Sequence, residues 1–216
     1  MVLLDMDGTL LDLHFDNHFW LEHIPKVYAQ QNQLKLDIAT EQLMEKFQAY
    51  RGQLNWYCLD FWSQELNLNI AELKRDVEHK IAYRPQVLPF LKSLRIHGIP
   101  SFIVTNAHRD SIALKMEKTA LDNHVDKVIS SHDYRAAKES QDFWHRFQAE
   151  HQLDLPSTLL IDDSIPVLKA AQAFGIGHLM TILEPDSTMP AREVDQGFTM
   201  LDCFSEITLE ASASND

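Results

Sequence analysis

Cysteine is scarce in this sequence, which contains only Cys58 and Cys203 among 216 residues. The two thiols lie far apart and form no CxxC pair, which argues against a disulfide scaffold and favours a reducing cytosol. Their spacing implies no zinc site. The sequence also lacks an apolar run near the roughly 18 residues that span a bilayer, and its N-terminus lacks the charged-then-apolar layout of a signal peptide. We therefore expect a cytoplasmic protein that does not enter a membrane.

Positive charge is in deficit, because 19 Lys and Arg residues face 32 Asp and Glu residues and give a formal net charge of −13. This charge opposes the counter-ion release that drives binding to nucleic acid, and anionic membrane surfaces would repel it. We therefore expect neither a nucleic acid polymer nor a membrane as a partner.

The length and composition are those of a globular chain. At about 100 to 200 residues per domain, 216 residues predict one sizeable domain, alone or with a small insert. Hydrophobic residues make up 45% and charged residues 24%, near the ordinary range, and no internal repeat or low-complexity stretch occurs.

The hydrophobic pattern divides the chain into three zones. Residues 2–5 predict a short buried strand that runs into the polar sequence DMDGT. Residues 15–82 contain only helix-like patterns, such as 40–50 and 70–82, in which apolar residues recur every three or four positions. From residue 85 onward, predicted helices and strands alternate.

The alternating zone predicts a parallel sheet. Its strands are expected at 101–105, 125–130, 158–161 and 178–183, with helices ending at Ile96, beginning at Arg109, running through Trp144 and covering 166–174. Parallel strands joined by helices form a doubly wound, Rossmann-like α/β sheet, whose ligands bind outside the carboxyl ends of the strands. We expect a core domain of residues 1–14 and 83–216, with residues 15–82 as a helical cap over that edge. The small polar residues after Leu209 are expected to be frayed.

Polar residues follow the predicted strands where each one ends. They are Asp5 and Asp7 after the first, Thr105 and Asn106 after the second, Lys138 opening the helix after the third, and Asp162 and Asp163 after a later one. The carboxyl ends of parallel strands share one edge, so these side chains should converge. Carboxylates gathered with an ammonium and a hydroxyl are costly unless a cation and an anion occupy the site. Mg²⁺ prefers such oxygen ligands and bridges to a substrate phosphate.

Each motif also has a simpler interpretation. Asp-x-Asp-Gly opens calcium loops, but their glycine is sixth and a glutamate is twelfth, whereas Gly8 directly follows Asp7. Thr105-Asn106 and Asp162-Asp163 are also helix-capping sequences. Lys138 could be a solvated lysine at the start of a helix. Because all of them fall in register with strand ends, the functional interpretation is favoured.

Histidines and aromatic residues of the predicted cap leave two questions open. His14, His18 and His23 have helical spacing, but no motif such as HExxH accompanies them, so we interpret them as surface or hydrogen-bonded histidines. The crowded aromatic residues are Phe15, Phe19, Trp20, Trp56, Tyr57, Phe61 and Trp62. They can stack on a purine, at about 1 to 3 kcal/mol per base, or form the core of a helical bundle. The candidates for base recognition are Asn55, Trp56 and Tyr57.

The motifs together resemble a known family. The set Asp5-Met-Asp-Gly-Thr-Leu, Thr105-Asn106, Lys138 and Asp162-Asp163 is similar to the four signature motifs of haloacid dehalogenase-like phosphatases, in order and across nearly the whole chain. More narrowly, this sequence resembles the bacterial GMP/IMP nucleotidases of that superfamily in the runs LLDMDGTLLDL, NWYCLDFW, TNAH and IDDS. One departure is Ala137, where a proline is expected before the motif lysine.

The resemblance implies a role for each motif residue. Asp5 is the implied nucleophile, and Asp7 the acid and base that serves the leaving oxygen and the attacking water. The implied ligands of Mg²⁺, for which Mn²⁺ can substitute, are Asp5, Asp162 and the backbone carbonyl of Asp7, with Asp163 beside them. The implied phosphate-binding groups are Thr105, Asn106 and Lys138, with backbone amides of Gly8 and Thr9 as further donors.

Three functions remain under consideration. The first is a Mg²⁺-dependent nucleotidase that hydrolyses the 5′-phosphate of GMP or IMP through an aspartyl phosphate; the second is a phosphatase or phosphomutase acting on a sugar phosphate or another small phosphorylated metabolite. The third is an inactive binding module, against which the intact Asp5, Asp7, Lys138 and Asp162 argue. Dehalogenases need no acid two residues after the nucleophile, so Asp7 favours phosphotransfer. We expect a small phosphorylated substrate and a monomer or weak homo-oligomer; the preferred base, the pathway and any residues before Met1 stay open.

Overall fold

A parallel β-sheet forms the centre of the protein, for which the computed structural model describes residues 1–193 and 197–209. In these residues its strands are β1 Val2–Leu4, β2 Ser101–Thr105, β3 Lys127–Ser130, β4 Leu159–Ile161, β5 His178–Ile182 and β6 Thr199–Leu201. Their order across the sheet is β3-β2-β1-β4-β5-β6, and every pairing is parallel. The predicted doubly wound α/β fold is confirmed.

Helices cover both faces of the sheet. They are α6 Val87–Ile96 and α7 Arg109–Thr119 on one face, and α8 Gln141–His151 and α9 Ile165–Phe174 on the other. Side chains of a strand alternate between faces, so Leu4 packs in the cluster that contains residues of α6 and α7, and Leu3 in the cluster that contains residues of α8 and α9. Burial on both faces fixes the register of β1, and with it the place where the strand delivers Asp5.

The segment of residues 15–82, which we call the helical insert, leaves the sheet after β1. Its helices are α1 His14–His18, α2 Ile24–Gln31, α3 Leu36–Tyr50, α4 Leu59–Leu66 and α5 Ile70–Asp76, with a π-helical turn at Phe19–His23. A separate hydrophobic cluster holds these helices together, and Leu114 of α7 joins it. The division of the chain into a core domain and a cap domain stays a prediction. Within residues 1–193 and 197–209, no helix has both the length and the apolar character needed to cross a bilayer.

Several element boundaries differ from the predicted ones. The helix expected over 70–82 ends at Asp76 and is followed by a 3₁₀ turn at Glu78–Lys80. Lys138 lies in a turn and does not open a helix, because α8 begins only after Ser140, whose hydroxyl caps it by accepting from the backbone N–H of Asp142. Strand β6 was not predicted, since three residues carry too short a pattern. The tail predicted to be frayed lies outside the described residues.

Candidate active site

The strand order brings the predicted site residues together at the carboxyl edge of the sheet. Strand β1 lies between β2 and β4, and Leu4 is in register with Ile103 on one side and Ile161 on the other. The backbone N–H of Asp5 donates to the carbonyl of Ile161 at 2.9 Å. Asp5 therefore leaves the sheet directly beside Asp162, as the position of ligand sites in doubly wound sheets leads one to expect.

A buried ammonium joins the two strand ends. The Nζ of Lys138 lies 2.6 Å from Asp5 Oδ1 and 2.7 Å from Asp162 Oδ2, and it donates to the carbonyl of Val104 at 2.8 Å. Burial would lower the pKa of Lys138, but the charges of Asp162 and Asp5 outweigh it and raise that pKa above its ordinary value. Lys138 is therefore a fixed cation between two carboxylates.

The turn that carries Lys138 is held by its neighbours. The Oδ1 of Asn106 accepts from the Lys138 N–H at 2.9 Å, while Asn106 Nδ2 donates to Glu139 Oε2 at 2.9 Å. The indole N–H of Trp144 donates to the Lys138 carbonyl at 2.8 Å. These bonds position the lysine although Ala137 precedes it. The side-chain amide of Asn106 is paired at both ends, so its proposed contact with phosphate stays a prediction.

Three acids converge beside this lysine. Asp5, Asp162 and Asp163 each offer a carboxylate oxygen within 4.8 Å of the others. Burial, with the charge of Asp162, raises the pKa of Asp5 to about 6, and burial with the charges of Asp5 and Asp162 raises that of Asp163 to about 8. Burial also raises the pKa of Asp162. A cluster of carboxylate oxygens fits a hard divalent cation such as Mg²⁺, because the cation would offset the cost of burying their negative charge.

A further buried charge chain begins at Asp7. The Nζ of Lys115, in α7, lies 2.6 Å from both Asp7 Oδ1 and Asp16 Oδ2, and the Nζ of Lys74, in α5, lies 2.6 Å from Asp16 Oδ1. Both lysines are buried. Burial raises the pKa of Asp7 to about 6 even though the Lys115 charge opposes the shift. Sequence reasoning missed Lys115, Asp16 and Lys74, because each is an ordinary charged residue of a helix without any local motif.

The remaining predicted donors lie in tight surroundings. Thr105 is buried, and its hydroxyl accepts from the Ala107 N–H at 3.0 Å. Gly8 has φ +89°, and a Cβ there would lie 2.8 Å from Cγ of Asp163, so only glycine fits. The Gly8 N–H donates to the Leu11 carbonyl at 2.7 Å, which uses that amide within the turn. Thr9 is fully buried beside it.

An open cavity of about 750 Å³ connects this charged site with the helical insert. Its aromatic lining residues are Trp20, Phe47, Trp56 and Tyr57, and its lining also includes Asp5, Asp7 and Lys138. Tyr57 donates its hydroxyl to Glu139 Oε1 at 2.6 Å and so joins the helical insert to the Lys138 turn. Asn55 is exposed and, among the described residues, lies outside the cavity lining. A cavity of this size accommodates a nucleoside monophosphate.

The two explanations of the aromatic crowding apply to different rings. Phe15, Phe19 and Trp62 are fully buried in the core of the helical insert, and Trp56 packs its edge against that core while lining the cavity. The three histidines with helical spacing have polar partners in the structure. The contacts are His18 Nδ1 with Glu22 at 3.3 Å, His23 Nε2 with Asp76 at 3.1 Å and His14 Nδ1 with Thr188 Oγ1 at 3.2 Å.

Fold and site together define an α/β protein with an acidic, lysine-containing centre at the carboxyl edge of a doubly wound sheet. Residues 2–181 match the family model of the haloacid dehalogenase-like hydrolases, and the chain belongs to that family of hydrolases. The resemblance inferred from the four motifs is thereby confirmed.

Similarity to individual proteins agrees with this assignment. The GMP/IMP nucleotidase YrfG of Escherichia coli K12 is 38% identical over 192 residues, which cover 89% of this chain and 86% of that enzyme. A haloacid dehalogenase-like phosphatase from Thermococcus onnurineus has the same fold, with a TM-score of 0.78 at 22% identity over 95% of this chain and 94% of that one. The L-2-haloacid dehalogenase of Xanthobacter autotrophicus shares it at a TM-score of 0.61 and 15% identity, with 95% of each chain covered.

The raised pKa values predict how pH and Mg²⁺ change stability. A carboxyl whose pKa is higher in the folded than in the unfolded state stabilises the fold fully below 3.8 and loses that contribution as pH rises through the folded value. In chelator, the melting temperature should therefore fall between pH 4 and pH 8, the window set by Asp5, Asp7 and Asp163. The increase in melting temperature on adding Mg²⁺ should be larger at pH 8 than at pH 5, because the cation favours the ionised carboxylates.

Differential scanning calorimetry with and without Mg²⁺ measures both effects. Asp163→Asn should flatten the dependence in chelator, whereas Glu45→Gln, an exposed substitution in α3, should leave it unchanged. A Mg²⁺-induced increase that is equal at pH 5 and pH 8 would contradict the assignment.

Proposed function

We propose that this hydrolase is a Mg²⁺-dependent phosphatase that removes the 5′-phosphate of purine nucleoside monophosphates through an aspartyl phosphate on Asp5. The carrying observation is the pair of carboxyls at the end of β1, each held by its own buried lysine. Lys138 holds Asp5 at 2.6 Å and Lys115 holds Asp7 at 2.6 Å. The Asp5 carboxyl is thus positioned beside Lys138, a cation that can attract phosphate, whereas the Asp7 carboxyl is held by a different lysine.

Asp5 supplies the nucleophile in this proposal. Its carboxylate attacks phosphorus in line with the ribose oxygen, and water then cleaves the aspartyl phosphate, so that two easier displacements replace a difficult one. The Lys138 ammonium offsets charge on the equatorial oxygens. When bound by Asp5, Asp162 and the Asp7 carbonyl, Mg²⁺ would supply further neutralisation of phosphate charge.

Asp7 is proposed to move the protons. Its carboxyl protonates the departing O5′ and then takes a proton from the attacking water, for which a pKa near neutrality is suitable. Burial raises the pKa of Asp7 to about 6. Lys115 is a positioning residue, because its contact with Oδ1 fixes one oxygen of the carboxyl and leaves the other for the leaving group.

The cavity and the named relative support a purine nucleotide as substrate. Aromatic rings line the wall formed by the helical insert, and the flat faces of purines stack on such rings. The related enzyme from E. coli is named a GMP/IMP nucleotidase. A screen of phosphate release from nucleotides, sugar phosphates and aryl phosphates tests this preference directly, and a sugar phosphate as the best substrate would replace it.

Asp5→Asn is expected to abolish turnover, by about 10³-fold or more, because the amide keeps the size of the side chain but cannot attack phosphorus. Acid-quenched wild-type protein should carry phosphate on the peptide that contains Asp5, as seen by mass spectrometry. A melting curve establishes that the variant is folded. A folded variant with more than a few per cent of wild-type activity would exclude Asp5 as nucleophile.

Lys115→Met is expected to affect substrates according to their leaving group. In a single turnover, release of guanosine from GMP needs a proton on O5′ and should slow by about 10²-fold or more, whereas release of an acidic aryl alcohol from an aryl phosphate should slow far less. Asp7→Asn should give the same pattern. Lys118→Met is the matched control, since Lys118 lies in the same helix, is exposed and pairs with Glu78 outside the site. Equal losses of the single-turnover rate on both substrates would exclude a role of Lys115 in protonation of the leaving group.

Trp56→Ala is expected to raise KM for GMP and IMP with a smaller effect on kcat, since stacking acts in the ground and transition states alike. A small aryl phosphate should be little affected. Trp62→Ala is the control, because Trp62 is fully buried and should cost about 3 to 5 kcal/mol of stability while depressing all substrates together. If Trp56→Ala behaves like Trp62→Ala, the ring belongs to the core and not to the specificity site.

A further inference from the structure

A thiol and two imidazoles meet at the junction between the helical insert and the sheet. Cys58 directly precedes α4, His108 directly precedes α7, and His132 lies in the 3₁₀ turn after β3. Each offers one ligand atom within 4.8 Å of the other two, and all three residues are half-buried. We call these residues the thiol–imidazole cluster. None of them has a part in the proposed phosphatase reaction.

The ring of His132 has a buried nitrogen without a hydrogen-bond partner among the described residues. Its Nε2 is buried and makes no hydrogen bond to any described residue. The rings of His108 and His132 meet edge to face, with centroids 5.2 Å apart and planes at 85°. Burial, with the nearby charge of His108, lowers the pKa of His132. A buried ring nitrogen without a partner carries a cost, and a neutral imidazole can bind a metal ion through that nitrogen.

Polar groups around the cluster can orient its ligands. Asp60 Oδ2 lies 3.6 Å from His108 Nε2, and Asp110 Oδ2 lies 3.6 Å from His108 Nδ1. The backbone N–H of Asp110 donates to His108 Nδ1 at 3.4 Å, which helps to hold the orientation of the ring. The Sγ of Cys58 accepts from the Phe61 N–H at 3.4 Å, which holds the thiol at the start of α4.

We propose that Cys58, His108 and His132 bind a borderline-soft divalent cation such as Zn²⁺. One thiolate and two imidazoles are three of the four ligands of a tetrahedral site, and water or a neighbouring carboxylate completes it. Sulfur and nitrogen ligands select Zn²⁺ or Co²⁺ over Mg²⁺, whereas the carboxylates around Lys138 favour the harder ion. The protein therefore has two cation sites of different chemistry.

Binding at this site would tie the helical insert to the sheet. Cys58 belongs to the insert, and the two histidines follow β2 and β3. The neighbouring Tyr57 hydroxyl already spans the same junction by its bond to Glu139 at 2.6 Å. An ion held from both sides stabilises the joined arrangement by its binding free energy. Metal binding at the cluster would therefore stabilise the contact between the helical insert and the sheet.

Titration of the folded 216-residue chain with Co²⁺ in excess Mg²⁺ tests the site without any activity measurement. A cobalt–thiolate charge-transfer band should grow to one equivalent, and Zn²⁺ should abolish it by displacement. Cys203→Ser, the matched control with the other free thiol removed, should behave as wild type. Cys58→Ser should lose the band, and His132→Asn should bind at least tenfold more weakly; His108→Asn replaces it if His132→Asn does not fold.

The result does not depend on the proposed phosphatase activity, since only metal binding is observed. Zn²⁺ should also raise the melting temperature of wild type and Cys203→Ser more than that of Cys58→Ser. Absence of a thiolate band in the wild type, or its loss in Cys203→Ser instead of Cys58→Ser, would overturn the proposal.

Discussion

The contact of one buried ammonium with two carboxylates is the constraint on which the site depends. Lys138 donates to Asp5 and Asp162, which follow two adjacent strands, and also to a backbone carbonyl of the strand on the other side. A buried charge that loses its partner is strongly destabilising. The register of β1 with β2 and β4 positions the two carboxylates, and the hydrogen bonds around the Lys138 turn position the ammonium. Both must be correct for the contact to form.

The buried charge chain extends this logic from the sheet into the helical insert. Two lysines alternate with two aspartates from Asp7 to Lys74, and every step is 2.6 Å. Removal of one member would leave a buried charge without its partner, which is strongly destabilising. The position of the Asp7 carboxyl is consequently linked to the packing of α5 and α7.

The fold itself does not choose the reaction. A phosphatase and a dehalogenase share this architecture with the chain at TM-scores of 0.78 and 0.61, and function resides in the residues placed on the fold. In this chain, the features that bear on the reaction are the second carboxyl after β1, with its own buried lysine, and the aromatic wall of the cavity. Both are properties of particular side chains, and they carry the proposal of a nucleotide phosphatase.

The sequence alone determined the sheet, its helices and the residues at the strand ends. Apolar runs and alternating patterns are local, and the rule that carboxyl ends of parallel strands share one edge then brings Asp5, Asn106 and Asp162 together without further information. The short edge strand β6 was not predicted, since three residues carry too little of an alternating pattern. The position of Lys138 in a turn was also not predicted, because α8 begins only after its capping residue Ser140.

Only the tertiary structure decided which charged helix residues enter the site and which rings face the cavity. Lys115 resembles any lysine of a helix until α7 places it against Asp7, and Trp56 and Trp62 are equivalent in sequence although one lines the cavity and the other fills the core. Cys58 and His132 are separated by many residues and meet through packing of the insert on the sheet. Such contacts have no periodic or local signature, because they arise where separate elements pack together and not within any one of them.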